Sequence, residues 1–159
     1  MSVLQDIVEK KHYSFIEDDV TWQEAVRLSL VPLVADGTCE EHYFQEIVAC
    51  IEKHGPYVVF DGNVAMPHST EGATGVNRTG IGFMVSKKMI DFGVDEDGEK
   101  KEADLFFTLA SLGGEEHMNN IMQLSEIFQN EPLLAALRQC KTPEDILKAE
   151  AENPYEDDF

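Results

Sequence analysis

The segment Asp104–Ala110, DLFFTLA, is apolar at nearly every position after its first residue. A strand of that composition has both faces covered, so the chain must place a layer on each side of a sheet. Gly113-Gly114 then frees the backbone to change direction. Beyond it, His117, Ile121, Leu124 and Phe128 recur at i, i+4, i+7 and i+11, the spacing of one helix face.

Upstream, Asp19 or Thr21 caps a helix whose stripe is Trp22, Ala25, Val26, Ser29, Leu30, Leu33 and Val34. Pro32 is expected to kink its last turn or to sit where that turn is already irregular. A second helix runs from about Glu40 to Lys53, with Tyr43, Phe44, Ile47, Val48 and Ile51 inward, and His54-Gly55-Pro56 ends it. Tyr57–Phe60 reads as a buried strand, 64–78 as a loop rich in Gly, Thr and Ser, and Thr79–Ser86 as a strand that Met89–Phe92 extends or follows. Asp95–Glu102 is an acidic turn. Pro132 opens a short helix through Leu137, and Thr142-Pro143-Glu144-Asp145 starts a final one, with acids against the helix dipole. The expected fold is α/β, a single domain with a mixed central β-sheet of three or four strands flanked by helices on both faces. It spans residues 1–150, and 151–159 form an acidic, frayed tail.

Thirty-one acids against twelve bases give a formal charge of −19. That field repels nucleic acid and anionic membrane surfaces, and a DNA- or RNA-binding role is disfavoured. No stretch approaches the roughly 20 apolar residues of a membrane span, and the first residues, MSVLQDIVEKKHYS, lack the apolar run of a secretory signal. A cytoplasmic protein without direct membrane insertion is expected. Cys39, Cys50 and Cys140 share no short spacing suited to zinc or redox pairing and read as buried, unpaired thiols.

Histidine is neutral, nucleophilic and protonatable near pH 7, which draws attention to His68. It follows Ala65-Met66-Pro67, where the proline stiffens the loop and holds Met66 extended. The hydroxyls and amides of Ser69 and Thr70 could serve an oxyanion. On local sequence alone, an ordinary exposed loop histidine is the commoner reading. His117 opens a helix, where it is either a core-edge histidine or a neutral imidazole kept so by the helix dipole. Glu52, near the end of the second helix, could accept from a histidine ring nitrogen and so decide which nitrogen is nucleophilic. The alternative is a solvated helix carboxylate.

Taken together, GPYVVFDGNVAMPHS (Gly55–Ser69), VNRTGIGFMVSKKMIDF (Val76–Phe92) and the segment from Leu105 to Phe128 resemble the mannitol/fructose-type enzyme IIA of the phosphoenolpyruvate-dependent sugar phosphotransferase system. The similarity covers most of the chain. Within that superfamily, the G-P-Y before the loop, the methionine of A-M-P-H and the ending with Met122-Gln123, Phe128, Leu137-Arg138-Gln139-Cys140-Lys141-Thr142 and Ile146-Leu147 are similar to the ascorbate-type branch.

The resemblance implies that His68 is the phosphorylated residue and that His117 matches the second histidine of the family. It implies a phosphotransferase with a phosphohistidine intermediate, which accepts the group from the carrier HPr and yields it to a cysteine of a IIB component. Through a membrane IIC this would serve uptake of ascorbate or a related pentose, pentitol or hexose. No cofactor and no metal is implied, and the oligomeric state is left open. The expected phosphoryl receptors are neutral His117, the amides from His68 to Thr70 and a Ser or Thr hydroxyl, inside an apolar rim of Met66 and Val64. Where many members have an Arg-Glu pair before the loop, this chain has Ile51-Glu52. Lys53, His54 and Arg78 are the candidates to replace the missing cation. Ser69-Thr70-Glu71-Gly72 also departs from the tail often seen after the histidine.

The net charge is no obstacle to carrying a dianion. Two unit charges about 10 Å apart in water interact by only about 0.4 kcal/mol, whereas one charge-assisted hydrogen bond contributes about 1.5–3 kcal/mol. Local donors decide the site. Two other readings stand beside this one. In a regulatory protein of the same fold, phosphorylation would control partner binding. In a metal-dependent hydrolase, His68, His117 and Glu52 would be ligands, although no H-E-x-x-H or H-x-H spacing supports it.

Overall fold

A computed structural model describes residues 1–71 and 73–155. Eleven elements follow one another: α1 (Val3–Lys10), β1 (Tyr13–Ile16), α2 (Trp22–Ala35), α3 (Tyr43–His54), β2 (Val59–Phe60), β3 (Val64–Ala65), β4 (Gly80–Val94), β5 (Lys100–Ala110), α4 (Gly114–Gln129), α5 (Glu131–Arg138) and α6 (Pro143–Glu152). The strands form one five-stranded mixed sheet in the order β1-β4-β5-β3-β2. β4 and β5 are antiparallel, while β1 runs parallel to β4 and β3 parallel to β5.

The period of two in the central strands divides the core. Leu105, Phe107 and Leu109 of β5 join Ile81, Phe83 and Val85 of β4 on one face, under α1, α4, α5 and α6. Phe106 and Ala110 join Met84, Ile90 and Phe92 on the other, under α2 and α3. DLFFTLA is therefore covered on both sides, as its composition requires. Its single internal polar group is satisfied: the Thr108 hydroxyl donates to Ser29 Oγ at 2.7 Å, and Ser29 donates to the Val26 carbonyl at 2.7 Å. Gly82 lets α2 approach closely, since a Cβ there would lie 3.3 Å from the Ser29 carbonyl oxygen.

The helix caps follow the sequence signals. Thr21 caps α2 through the Glu24 amide at 3.2 Å, and Thr142 and Asp145 close a reciprocal capping box on α6. Pro32 lies inside α2, which continues to Ala35. Several expectations need correction. The sheet has five strands, not three or four, because it also includes β1 and β3, which local sequence pattern does not reveal. α1 and β1 are short, with β1 half-buried along its whole length at an edge. β3 lies inside the expected 64–78 loop and is two residues long. Of Tyr57–Phe60, only Val59 and Phe60 pair. Thr79–Ser86 and Met89–Phe92 fall within one strand, β4, whose register shifts between Val85 and Ile90. At the C-terminus, α6 passes residue 150, and Tyr155 packs against the core and donates to Glu150 at 2.6 Å. Residues 156–159 of the expected tail lie outside the described residues.

Candidate functional site

Because β3 and β5 are parallel, both end at the same edge of the sheet, and the loops that follow them meet there. The first begins as an extension of β3: the Met66 amide donates to the Val58 carbonyl at 2.8 Å, and the Leu109 amide donates to the Pro67 carbonyl at 2.9 Å. Pro67 has no amide to offer, so its carbonyl alone ties the loop to β5. His68 is thereby set beside the end of β5, where Ser111 opens the second loop.

His68 is half-buried. Its Nδ1–H donates to the Met66 carbonyl oxygen at 2.6 Å, which leaves the lone pair on Nε2. Burial pulls its pKa below the ordinary histidine value; the Met66 bond opposes that shift, and a protonated His117 adds to it. His117 lies in the first turn of α4, with Nδ1 2.6 Å from the Ser111 hydroxyl oxygen. That oxygen also accepts the Gly113 amide at 3.0 Å, so its own proton is free for His117. In that arrangement, Nε2 of His117 carries hydrogen and is a donor.

Two tyrosines that sequence reasoning missed hold the His68 loop. The Tyr57 hydroxyl donates to the His68 carbonyl oxygen, and its ring meets the imidazole edge-on with centroids 5.4 Å apart. The buried Tyr43 hydroxyl donates to the Leu109 carbonyl at 2.8 Å and accepts the Ser69 amide at 3.3 Å. Burial pushes both phenols well above their ordinary pKa, so they stay protonated donors. Tyr57 was legible only as a strand residue and Tyr43 only as an inward helix position. Neither spacing reveals where a hydroxyl will point.

Cys50 closes the loop from beneath. Its Sγ is 3.1 Å from Thr70 Oγ1 and accepts the Thr70 amide at 3.5 Å. Burial raises its pKa, but hydrogen bonding, from the Thr70 hydroxyl and amide foremost, outweighs that and leaves it lowered. Glu46 receives the Thr74 amide at 3.0 Å and the Gly75 amide at 2.6 Å, holding the far end of the loop against α3.

Other expected site residues fall differently. Glu52 is exposed and makes no side-chain hydrogen bond among the described residues; the Met66 carbonyl, not Glu52, holds the ring nitrogen of His68. Val64 is fully buried in the core and forms no rim. Met66 is buried too, and lines a groove of about 400 Å³ with Phe60, Ile121, Leu124 and Phe128. The three candidate cations are all engaged with carboxylates. Lys53 and His54 bind Glu71 at 3.1 and 2.8 Å, and Arg78 lies 3.6 Å from an Asp36 carboxylate oxygen. Among the described residues no helix is long and apolar enough to cross a membrane.

The fold is thus a mixed-sheet α/β domain with a half-buried histidine, His68, after β3 and a second, His117, after β5. The chain belongs to the family described as phosphoenolpyruvate-dependent sugar phosphotransferase system, EIIA 2, which it matches over residues 7–151. It is 32% identical over 148 residues to the ascorbate-specific PTS system EIIA component of Escherichia coli K12, covering 92% of this chain and 94% of that one. The solution structure of the mannitol-specific cryptic phosphotransferase enzyme IIA of Escherichia coli matches with a TM-score of 0.78 and 25% identity, covering 94% of this chain and 99% of the other. A structure of the complex of enzyme IIA-mannitol with phosphorylated enzyme IIB-mannitol, also from Escherichia coli, matches with a TM-score of 0.69 and 25% identity over 87% of this chain and 94% of the other.

Proposed function

We propose that His68 carries a phosphoryl group on Nε2, taken from the phosphohistidine of HPr and handed to a cysteine of a IIB component. The observation that supports it most directly is the Nδ1–H bond to the Met66 carbonyl, which makes Nε2 the nucleophile. In the transfer, the Nε2 lone pair forms the new N–P bond while the donor's N–P bond breaks and its electron pair stays on the donor imidazole. The proton on Nδ1 remains in place, so the phosphorylated ring carries positive charge, and the Met66 carbonyl stabilises it. Onward transfer reverses the roles: a thiolate forms the S–P bond, and the ring nitrogen recovers its pair.

Phosphoryl transfer is governed by positioning and charge stabilisation. Here His117 Nε2–H and the His68 amide donate to the phosphoryl oxygens, with help from the Ser69 or Thr70 hydroxyl, while the Ser69 and Thr70 amides hold the loop through Tyr43 and Cys50. The groove beside Met66, with exposed Met118 and Met122 on the same helix α4 as Ile121, offers an apolar docking surface for protein partners. The IIB assignment draws on the mannitol IIA–IIB complex, and the ascorbate-type transport role on the named relatives.

The test is labelling from phosphoenolpyruvate, enzyme I and HPr. His68→Ala should take up no label, and persistent labelling would overturn the assignment. His117→Ala should accept the group but pass it to IIB slowly, and unaltered onward transfer would remove its role.

A further inference from the structure

Cys50 and His54 sit four residues apart on one face of α3, and Glu71 of the His68 loop lies against them. One ligand atom from each of the three falls within 4.8 Å of the others. The Cys50 thiol is 3% exposed, whereas the side chains of His54 and Glu71 are 41% and 48% exposed, so solvent reaches the cluster from their side. Cysteine spacing concealed this arrangement, because two of its three members are not cysteines and one of those two, Glu71, comes from a loop 17 residues beyond His54.

We propose that Cys50, His54 and Glu71 bind a borderline-soft divalent cation, Zn²⁺ foremost. A thiolate, an imidazole and a carboxylate form the mixed donor set that Zn²⁺ takes, whereas Mg²⁺ and Ca²⁺ select oxygen. Bond lengths of about 2.0–2.3 Å in a tetrahedron put ligand atoms about 3.3–3.8 Å apart. To reach that geometry His54 Nε2 and Glu71 Oε1 open from 2.8 Å, and Sγ turns away from Thr70. A solvent molecule takes the fourth position. Lys53 Nζ, 3.1 Å from the same carboxylate, is the competing cation that the metal displaces. Because Glu71 lies on the loop three residues beyond His68, the bound ion would tie that loop to α3.

The test uses Co²⁺ and Zn²⁺ with the full chain. One equivalent of Co²⁺ should produce a thiolate-to-cobalt charge-transfer band in the near ultraviolet with four-coordinate visible bands, and Zn²⁺ should bleach them. Cys50→Ser should abolish the band and weaken Zn²⁺ in chelator competition by more than about 100-fold, beyond the 10–100-fold that loss of an outer partner causes. His54→Gln and Glu71→Gln, at exposed positions that leave the core intact, should each weaken Zn²⁺ by at least about 10-fold with unchanged melting. His68→Ala, which cannot carry a phosphoryl group, should bind Zn²⁺ normally. The metal site and the phosphoryl reading therefore fail independently. The proposal is overturned by absence of the band, by its survival in Cys50→Ser through Cys39 or Cys140, by unchanged affinity in both glutamine variants, or by loss of binding in His68→Ala.

Discussion

The Nδ1 atom of His68 stands 2.6 Å from the carbonyl oxygen of Met66, two residues earlier in the same loop. Pro67 lies between them and holds Met66 extended, so the short A-M-P-H segment aims its own carbonyl at its own imidazole. The tautomer is set by local backbone and not by a carboxylate reaching across from a helix.

Burial and His117 together hold the His68 pKa below its ordinary value. Followed by ring proton chemical shifts, His68 should titrate with a midpoint below about 6.5. His117→Ala removes one opposing charge, so the midpoint should move upward. A downward or absent shift would separate the two rings. Because the folded pKa is the lower one, the unfolded chain binds this proton first. Stability from this group is thus unaffected well above about pH 6.5 and falls as pH drops through the window beneath it.

Tyr57→Phe keeps the ring against the imidazole and removes only the hydroxyl that binds the His68 carbonyl. Loss of one such bond is worth about 0.5–1.5 kcal/mol, so phosphoryl uptake should slow by about 2- to 12-fold if the bond positions the loop. The measurement is single-turnover labelling beside a thermal melt. A lowered melting temperature with an unchanged rate would make Tyr57 merely structural.

Gly75 has no room for a side chain. A Cβ there would stand 2.7 Å from Tyr43 Cβ and 2.8 Å from its backbone nitrogen. Since Tyr43 is anchored through its hydroxyl to Leu109, neither partner can retreat freely. Gly75→Ala should cost about 1–3 kcal/mol in chemical denaturation, the usual range for overpacking. A stability loss below about 0.5 kcal/mol would show that the loop gives way instead.

Asp36 joins the start of β1 to the end of α2. Burial raises its pKa, but bonds from Thr38 and His12, the latter at 2.6 Å, outweigh that and hold it at about 2. Its stabilisation is present above the unfolded aspartate value and is lost as pH falls from about 4 through about 2. The side chain is 38% exposed, so solvent screening limits the effect of Asp36→Asn to about 1 kcal/mol at pH 7. The gap between wild type and variant should narrow in urea titrations as pH falls from about 4 to about 2.

Much of this architecture was legible from local pattern. DLFFTLA demanded cover on both faces, and the stripe from His117 to Phe128, the Thr21 cap and the Thr142 capping box marked helices now seen as α4, α2 and α6. Those signals are carried by periodicity and by neighbours three or four residues apart. β1 and β3 were not legible because a strand of four or two residues has too few positions to show a period, and each exists only through its pairing with β4 or β5.

The same division runs through the site. Local sequence drew attention to His68 on its proline-stiffened loop and to His117 at the head of a helix, but left His68 an ordinary loop histidine until the ordered blocks of the family resemblance gave it a role. Only the tertiary structure brought the ends of β3 and β5 to one edge, turned Tyr43, Tyr57 and Cys50 toward the loop, and left Glu52 in solvent. Hydroxyl and thiol directions depend on which elements pack together, and packing is a property of the whole chain, which no window of neighbouring residues contains.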